Sequence, residues 1–340
     1  MASRSLFWQH AGTDYPEAVR AEGSWIHTAD GRRFLDGSGG ALVAVIGHGV
    51  QPVIDAQKAQ LDKLSYVHGG HFSTAPADEL AQRLSDIAPG TLNRVFLVSG
   101  GSEATESAIK LARQYHVERA DVARRLVIGR WQGYHGNTLG ALSASGYLGR
   151  RRIYEPMLLP FPHIPAANCY RCPYDLTYPD CGIACATALD ETIRQAGPEN
   201  VAAFIAEPVV GAAAAALVPP DEYFAIIREI CDRYGVLFIA DEVMTGVGRT
   251  GKTFAMEHWD VQADIMAVGK GISGGYAPLG ATVATDKVHD AIADGSGIFN
   301  HGFTYDGHAT SCAAGAAVLR YIDENDLVQA SATMGERLMA

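Results

Sequence analysis

The chain is short of charge, and of basic charge above all. Charged side chains make up 19% of its 340 residues, below the roughly 25% of an ordinary globular domain. Twenty-seven Lys and Arg face 38 Asp and Glu, a net charge of −11. That balance disfavours a nucleic-acid partner, which needs a concentrated basic face. Long hydrophobic runs are missing too. The longest uncharged stretch, Gly37 to Ile54, carries five glycines with His48, Gln51 and Pro52. A spanning helix needs ~20 mostly apolar residues, so this stretch reads as a loop feeding a helix and no membrane partner is expected. The N-terminal MASRSLFWQHAGTDYP has no sustained apolar core. No signal peptide is read there, and the cytosol is the expected compartment. Glycine is plentiful, with 37 residues, as in a compact, turn-rich enzyme rather than a disordered chain. At roughly 150 residues per domain the length suggests two domains.

Four of the six cysteines are clustered: Cys169, Cys172, Cys181 and Cys185, with Cys231 and Cys312 alone. The C-x2-C-x8-C-x3-C spacing is of the kind a tetrahedral zinc uses. The competing reading is reduced thiols packed as small hydrophobes, common in cytosolic chains. The second is the expectation, with no metal assigned.

Apolar runs of strand length alternate with helical patterns. Arg94–Val98, Leu126–Gly129, Ala203–Ala206, Val236–Ala240, Ile265–Val268 and Ala281–Ala284 are continuous rather than alternating, as in strands covered on both faces. Between them, Ala104, Ala108, Leu111, Ala112 and Tyr115 mark one helical face, and Tyr223, Ile226, Ile227, Ile230 and Tyr234 another. The pattern predicts an α/β fold with a mainly parallel sheet. Pro156 to Cys185 reads as an irregular insertion. The chain ends at Ala340 inside an expected helix, Leu327–Met339, which reads as the end of a fragment.

Three motifs compete for the chemistry. Gly246, Gly251, Lys252 and Thr253 spell a Walker A loop, which should leave a strand directly and open a long helix. Here five residues separate it from Ala240, and the segment after it has barely two turns, so the match is one of spelling. Ser102 sits on a strand-to-helix turn, but Gly100-Gly101-Ser102-Glu103-Ala104 lacks the second glycine of a nucleophile elbow. Its expected role is to cap a helix beginning near Glu103. The third constellation is dispersed. Ser99-Gly100-Gly101-Ser102 precedes a helix whose free N–H groups suit a phosphate. Tyr134-His135-Gly136 sets an aromatic beside a turn. Asp241 and Glu242 end an apolar strand, where ligands of open parallel sheets bind. A buried Asp there needs a cationic partner or a proton. Lys270, between Gly269 and Gly271 after another buried strand, makes sense as an amine held in a Schiff base. Phosphate on a helix start, ring nitrogen on an Asp and aldehyde on a Lys are the parts of a pyridoxal-phosphate site.

These residues make the chain recognisable: it resembles the class III aminotransferases, fold-type I pyridoxal-phosphate enzymes that include the omega-amino-acid transaminases. The resemblance runs from Ala29 to Ala340 and rests on VSGGSEATESAIKLAR, YHGNTLGAL, FIAEPVVGA, LFIADEVMTGVGRTG, GKGISGGYAPLGA and HGFTYDGH. It implies a mainly parallel sheet flanked by helices, plus a smaller domain whose C-terminal part lies beyond this sequence. Residues 1–50 would begin the small domain, 51–320 form the large cofactor domain, and 321–340 re-enter the small one. Lys270 would bind the cofactor's aldehyde and later shuttle a proton, and Asp241 would pair with the pyridinium nitrogen. Gly101 and Ser102 would hold the phosphate. Tyr134 would stack on one ring face and Val243 on the other, with His135 beside them and Glu207 in the polar network. Thr304, with Phe303 beside it, would reach the phosphate of a neighbouring subunit, which implies a homodimer. The implied reaction moves an amino group from an amine, omega-amino acid or amino acid to a 2-oxo acid. The same scaffold also serves a decarboxylase, an aminomutase and racemases. Departures from the family pattern are Met244 where many relatives have Gln, Leu42 where some carry Trp, Ala309 for a frequent Pro, and the cysteine-rich insertion. The arginine that usually takes the substrate carboxylate would lie beyond residue 340.

Overall fold

A computed structural model of the chain describes residues 5–10 and 12–340. Its strands fall into two sheets. β1 (Ala18–Glu22), β2 (Trp25–Thr28) and β3 (Arg33–Leu35) form a small antiparallel meander. The large sheet comprises β4 (Leu92–Val98), β5 (Leu126–Arg130), β6 (His163–Ile164), β7 (Val201–Ala206), β8 (Leu237–Asp241), β9 (Ile265–Val268) and β10 (Gly280–Thr285). Their order across the sheet is β4-β10-β9-β8-β7-β5-β6.

From β6 to β9 every pairing is parallel. β10 runs antiparallel to both β4 and β9. The expected mainly parallel sheet is therefore present, with one reversed strand inside it. β7, β8, β9 and β10 are buried at every residue, which explains their unbroken apolar character: both faces are covered. One cover is the helix Gly101–Glu118, which buries Ala104, Ala108, Leu111, Ala112 and Tyr115 as its 3.6-residue pattern requires. The helix Tyr223–Tyr234 buries Tyr223, Ile227 and Ile230 and packs with Phe204 and Phe238 of the sheet.

Four short strands escape the sequence pattern. β6 lies within the stretch expected to be irregular and contributes only two residues. β1 to β3 are largely exposed, so no apolar alternation marks them. The helix Leu327–Met339 forms as expected. Among the described residues no helix is long and apolar enough to cross a membrane.

Candidate active site

The carboxyl ends of the parallel strands converge on one place. Asp241 is the last residue of β8 and stands opposite Ala267 of β9, and Lys270 follows β9 after Gly269. Glu207 follows β7, whose last residue, Ala206, pairs with Ala240 of β8. Tyr134 and His135 lie on the loop leaving β5. This edge is where open α/β sheets bind ligands. The helix Gly101–Glu118 also starts here, directing unpaired first-turn N–H groups at the same space. Gly101, Ser102, Tyr134, His135, Glu207, Asp241, Val243 and Lys270 line one cavity of about 170 Å³. Thr304 does not: it is exposed on another groove with His68 and Phe303, and Tyr66 donates to its carbonyl at 2.9 Å.

Asp241 has the partner that its burial demands. His135 Nδ1 meets Asp241 Oδ2 at 2.6 Å, with both side chains almost wholly buried. A carboxylate only accepts, so Nδ1 carries the proton. The Val243 N–H donates to Asp241 Oδ1 at 3.1 Å. The Glu207 carboxylate accepts from the Tyr134 N–H at 2.9 Å and the Gly211 N–H at 3.1 Å, tying the loop after β5 to the one after β7. Burial raises the Glu207 pKa above the usual carboxylate range. Arg130, fully buried over the rings of Tyr223 and Phe224, donates to the Glu207 carbonyl. Tyr134 stands edge-on to Tyr147 at 6.2 Å, and burial pushes its phenol up.

Lys270 has φ +45°, a left-handed conformation that a side-chain-bearing residue holds at a cost of about 1–3 kcal/mol. Flanking glycines relieve the crowding around it: a Cβ on Gly271 would stand 3.2 Å from Val247 Cβ, and one on Gly269 3.2 Å from Val243 Cγ1. Burial, first, holds the Lys270 amine below the usual lysine range, against the opposing pull of Asp241 and Glu207. An amine that loses its proton easily can act as nucleophile and base.

The structure corrects one role. Ser102 is not a helix cap, because the helix begins at Gly101 with Gly100 before it. Its hydroxyl instead accepts from the Asn137 N–H at 3.1 Å, joining the helix start to the loop after β5. The Walker-like loop ends in a short 3-10 turn, Ala255–His258, and opens no long helix. Cys169, Cys172, Cys181 and Cys185 are free thiols around one small pocket. Among the described residues no three His, Cys, Asp or Glu stand where they could hold a metal ion. Gly211, Ala212 and Met244 also line the cavity; the first two sit in GA after the AEPVV motif, a signal read only through Glu207.

The residues fit pyridoxal phosphate. A Cβ on Gly136 would stand 2.6 Å from Ser102 Oγ, and one on Gly101 2.6 Å from Val243 Cγ1. Glycine alone keeps the space before the helix open to a phosphate. A lysine after one strand, an aspartate on its neighbour and this glycine cradle at a helix start define a fold-type I pyridoxal-phosphate enzyme. Residues 10–340 match the family Aminotransferase class-III, and the chain belongs to it.

Among known proteins, the aminotransferase YodT of Bacillus subtilis is 42% identical over 321 residues, covering 94% of this chain and 72% of YodT. The putrescine–pyruvate aminotransferase of Pseudomonas aeruginosa is 36% identical, covering 92% of this chain and 68% of that protein. An amine transaminase from an uncultivated Pseudomonas species, solved in its PLP-bound form, superimposes with a TM-score of 0.93 at 38% identity. That match covers 99% of this chain and 78% of the other. The protein is a PLP-dependent aminotransferase that acts on a small amino donor and a keto acid.

Proposed function

We propose that Lys270 is the reacting amine and Asp241 the partner of the pyridine nitrogen, in an enzyme that moves amino groups from amines, omega-amino acids or amino acids to a 2-oxo acid such as pyruvate or 2-oxoglutarate. One observation carries this reading. Lys270 is withdrawn from water, held at φ +45° between two glycines, and lines the same cavity as Asp241. When bound, pyridoxal phosphate supplies an aldehyde that condenses with amines and a ring that draws electrons from the substrate's Cα.

The chain's own residues do the rest. The first-turn N–H groups at Gly101 and Ser102 would bind the phosphate. Tyr134 and Val243 would hold the ring, and Glu207 fixes the loop that carries Tyr134. His135 orients Asp241 through its 2.6 Å contact, so that the carboxylate would face the ring nitrogen. The Lys270 amine would take the proton from the substrate's Cα, a transfer suited to an amine that burial has made easy to deprotonate.

Thr304, exposed and outside its own chain's cavity, is free to complete a second copy's phosphate site, which supports a homodimer with shared sites. The antiparallel meander β1–β3 and the helix Leu327–Met339 are read as parts of the small domain, with residues 51–320 as the large one. The compartment proposed is the cytosol. The test is a pair of half-reactions on the holoenzyme. An amino donor alone should convert the cofactor's visible spectrum to that of its amine form, and pyruvate or 2-oxoglutarate should restore it. A donor that releases carbon dioxide without leaving its nitrogen would refute the reading.

A further inference from the structure

The cysteine-rich insertion is the one sequence motif that aminotransferase chemistry leaves unused. Cys231 and Cys312 are fully buried in two different core clusters. Cys169, Cys172, Cys181 and Cys185 differ from them. Cys169 is exposed, the other three are half-buried, and all four line one cavity of about 20 Å³. That is little more than the room of one water, too small for an organic ligand. Among the described residues these thiols form no group that could hold a metal ion. What remains is chemistry between the thiols themselves.

Cys169 and Cys172 are the pair best placed for it. A tight turn with Tyr170 and Arg171 at its centre joins them. The Arg171 N–H donates to Asn168 Oδ1 at 3.0 Å, which fixes the turn. The ends of such a turn lie within about 7 Å at Cα, close to the roughly 4.4–6.8 Å that a disulfide spans. Two cysteines around a two-residue turn are the arrangement of reversible dithiols. The turn is open to a reagent: Tyr170 at its tip is 89% exposed, with Arg171 over its ring at 5.7 Å. Burial first, then Cys181 and Cys172, hold the Cys169 thiol above its usual range. Burial and the other three thiols push Cys185 up to about 11. Thiols that resist ionisation have no stabilised thiolate to lose, so bonding is not penalised as it is in a strongly oxidising dithiol.

We propose that Cys169 and Cys172 form a reversible dithiol–disulfide site, oxidised by a small-molecule disulfide such as glutathione disulfide. The exposed Cys169, as its thiolate, attacks one sulfur of the reagent, and one glutathione leaves and takes up a proton. Cys172 then gives up its proton and attacks the Cys169 sulfur, and the second glutathione leaves. The protein loses two electrons and two protons, and the reagent gains both. In a reducing compartment such a bond is transient and suits redox sensing. The site does not depend on the assignment of Lys270.

The test treats the holoenzyme with excess glutathione disulfide, blocks the remaining thiols with iodoacetamide and maps the bonds by mass after proteolysis. The thiol count of the unfolded protein should fall from six to four, and dithiothreitol should restore it. Cleavage after Arg171 should leave the peptide carrying Cys169 joined to the next one, with fragmentation placing the bond at Cys172. Cys172→Ser should lose the bond and hold one glutathione on Cys169. Cys181→Ser and Cys185→Ser should keep the bond. Six free thiols in excess oxidant, a bond from Cys169 to Cys181 or Cys185, or a bond that survives in Cys172→Ser would overturn the proposal. So would zinc held by these thiols in the isolated protein. Mapping in the parent chain decides the matter alone if a serine variant does not fold.

Discussion

Replacing His135 by Phe would keep a ring in place and remove the donor to Asp241. Asp241 would then retain the Val243 N–H on Oδ1 and lose its partner on Oδ2, with 4% of its side chain exposed. Breaking a buried pair from one side costs about 3–5 kcal/mol, because the remaining charge is left without compensation. The lower end of that range, about 3 kcal/mol, is the working value. For 340 residues, an unfolding entropy of about 2.1 cal/mol/K per residue turns that into a fall of about 4 °C in the thermal midpoint. Circular dichroism of the cofactor-free protein measures this directly. The same variant should bind pyridoxal phosphate more weakly, since Asp241, proposed as the partner of the ring nitrogen, loses the contact that orients it. A midpoint within 1 °C of the parent, with unchanged cofactor affinity, would refute the claim that His135 is the partner that the buried Asp241 carboxylate needs.

Three further outcomes follow from the same geometry. Asp241→Asn should lower kcat at least ~100-fold, about 2.7 kcal/mol of transition-state stabilisation, while stopped-flow spectra still show the substrate bound. Gly136→Ala puts a Cβ 2.6 Å from Ser102 Oγ at φ +134°. It should raise the cofactor Kd by ~10- to 100-fold in equilibrium dialysis, and an unchanged Kd would remove the cradle argument. Burial pushes the Glu242 carboxyl up to about 7. The folded state therefore holds a proton that the unfolded state has released above about pH 4.5, and stability falls as pH rises between about 4.5 and 7. Glu242→Gln should flatten that fall, which is on the order of 3 kcal/mol. Parallel pH–stability curves for parent and variant would contradict it.

Lys270 and Asp241 were legible because a charged residue ending a fully apolar strand is conspicuous, and the two strands are neighbours. The predicted strand Ala281–Ala284 is present, but a continuous apolar run carries no sign of direction, and β10 runs antiparallel to both neighbours. β1 to β3 were invisible for the opposite reason, since exposed short strands impose no pattern. The contact between His135 and Asp241 joins residues 106 positions apart and depends on the crossing of two loops. Ser102 was read as a local cap, whereas its hydroxyl serves Asn137 on another loop.

The central claim, that Lys270 carries the cofactor, is tested most directly by borohydride reduction of the holoenzyme followed by peptide mass mapping. Bleaching of the visible band with the cofactor's mass added to the peptide containing Lys270, and loss of both in Lys270→Ala, is the predicted result. Label on another lysine, or a bleaching band that survives in Lys270→Ala, would contradict it.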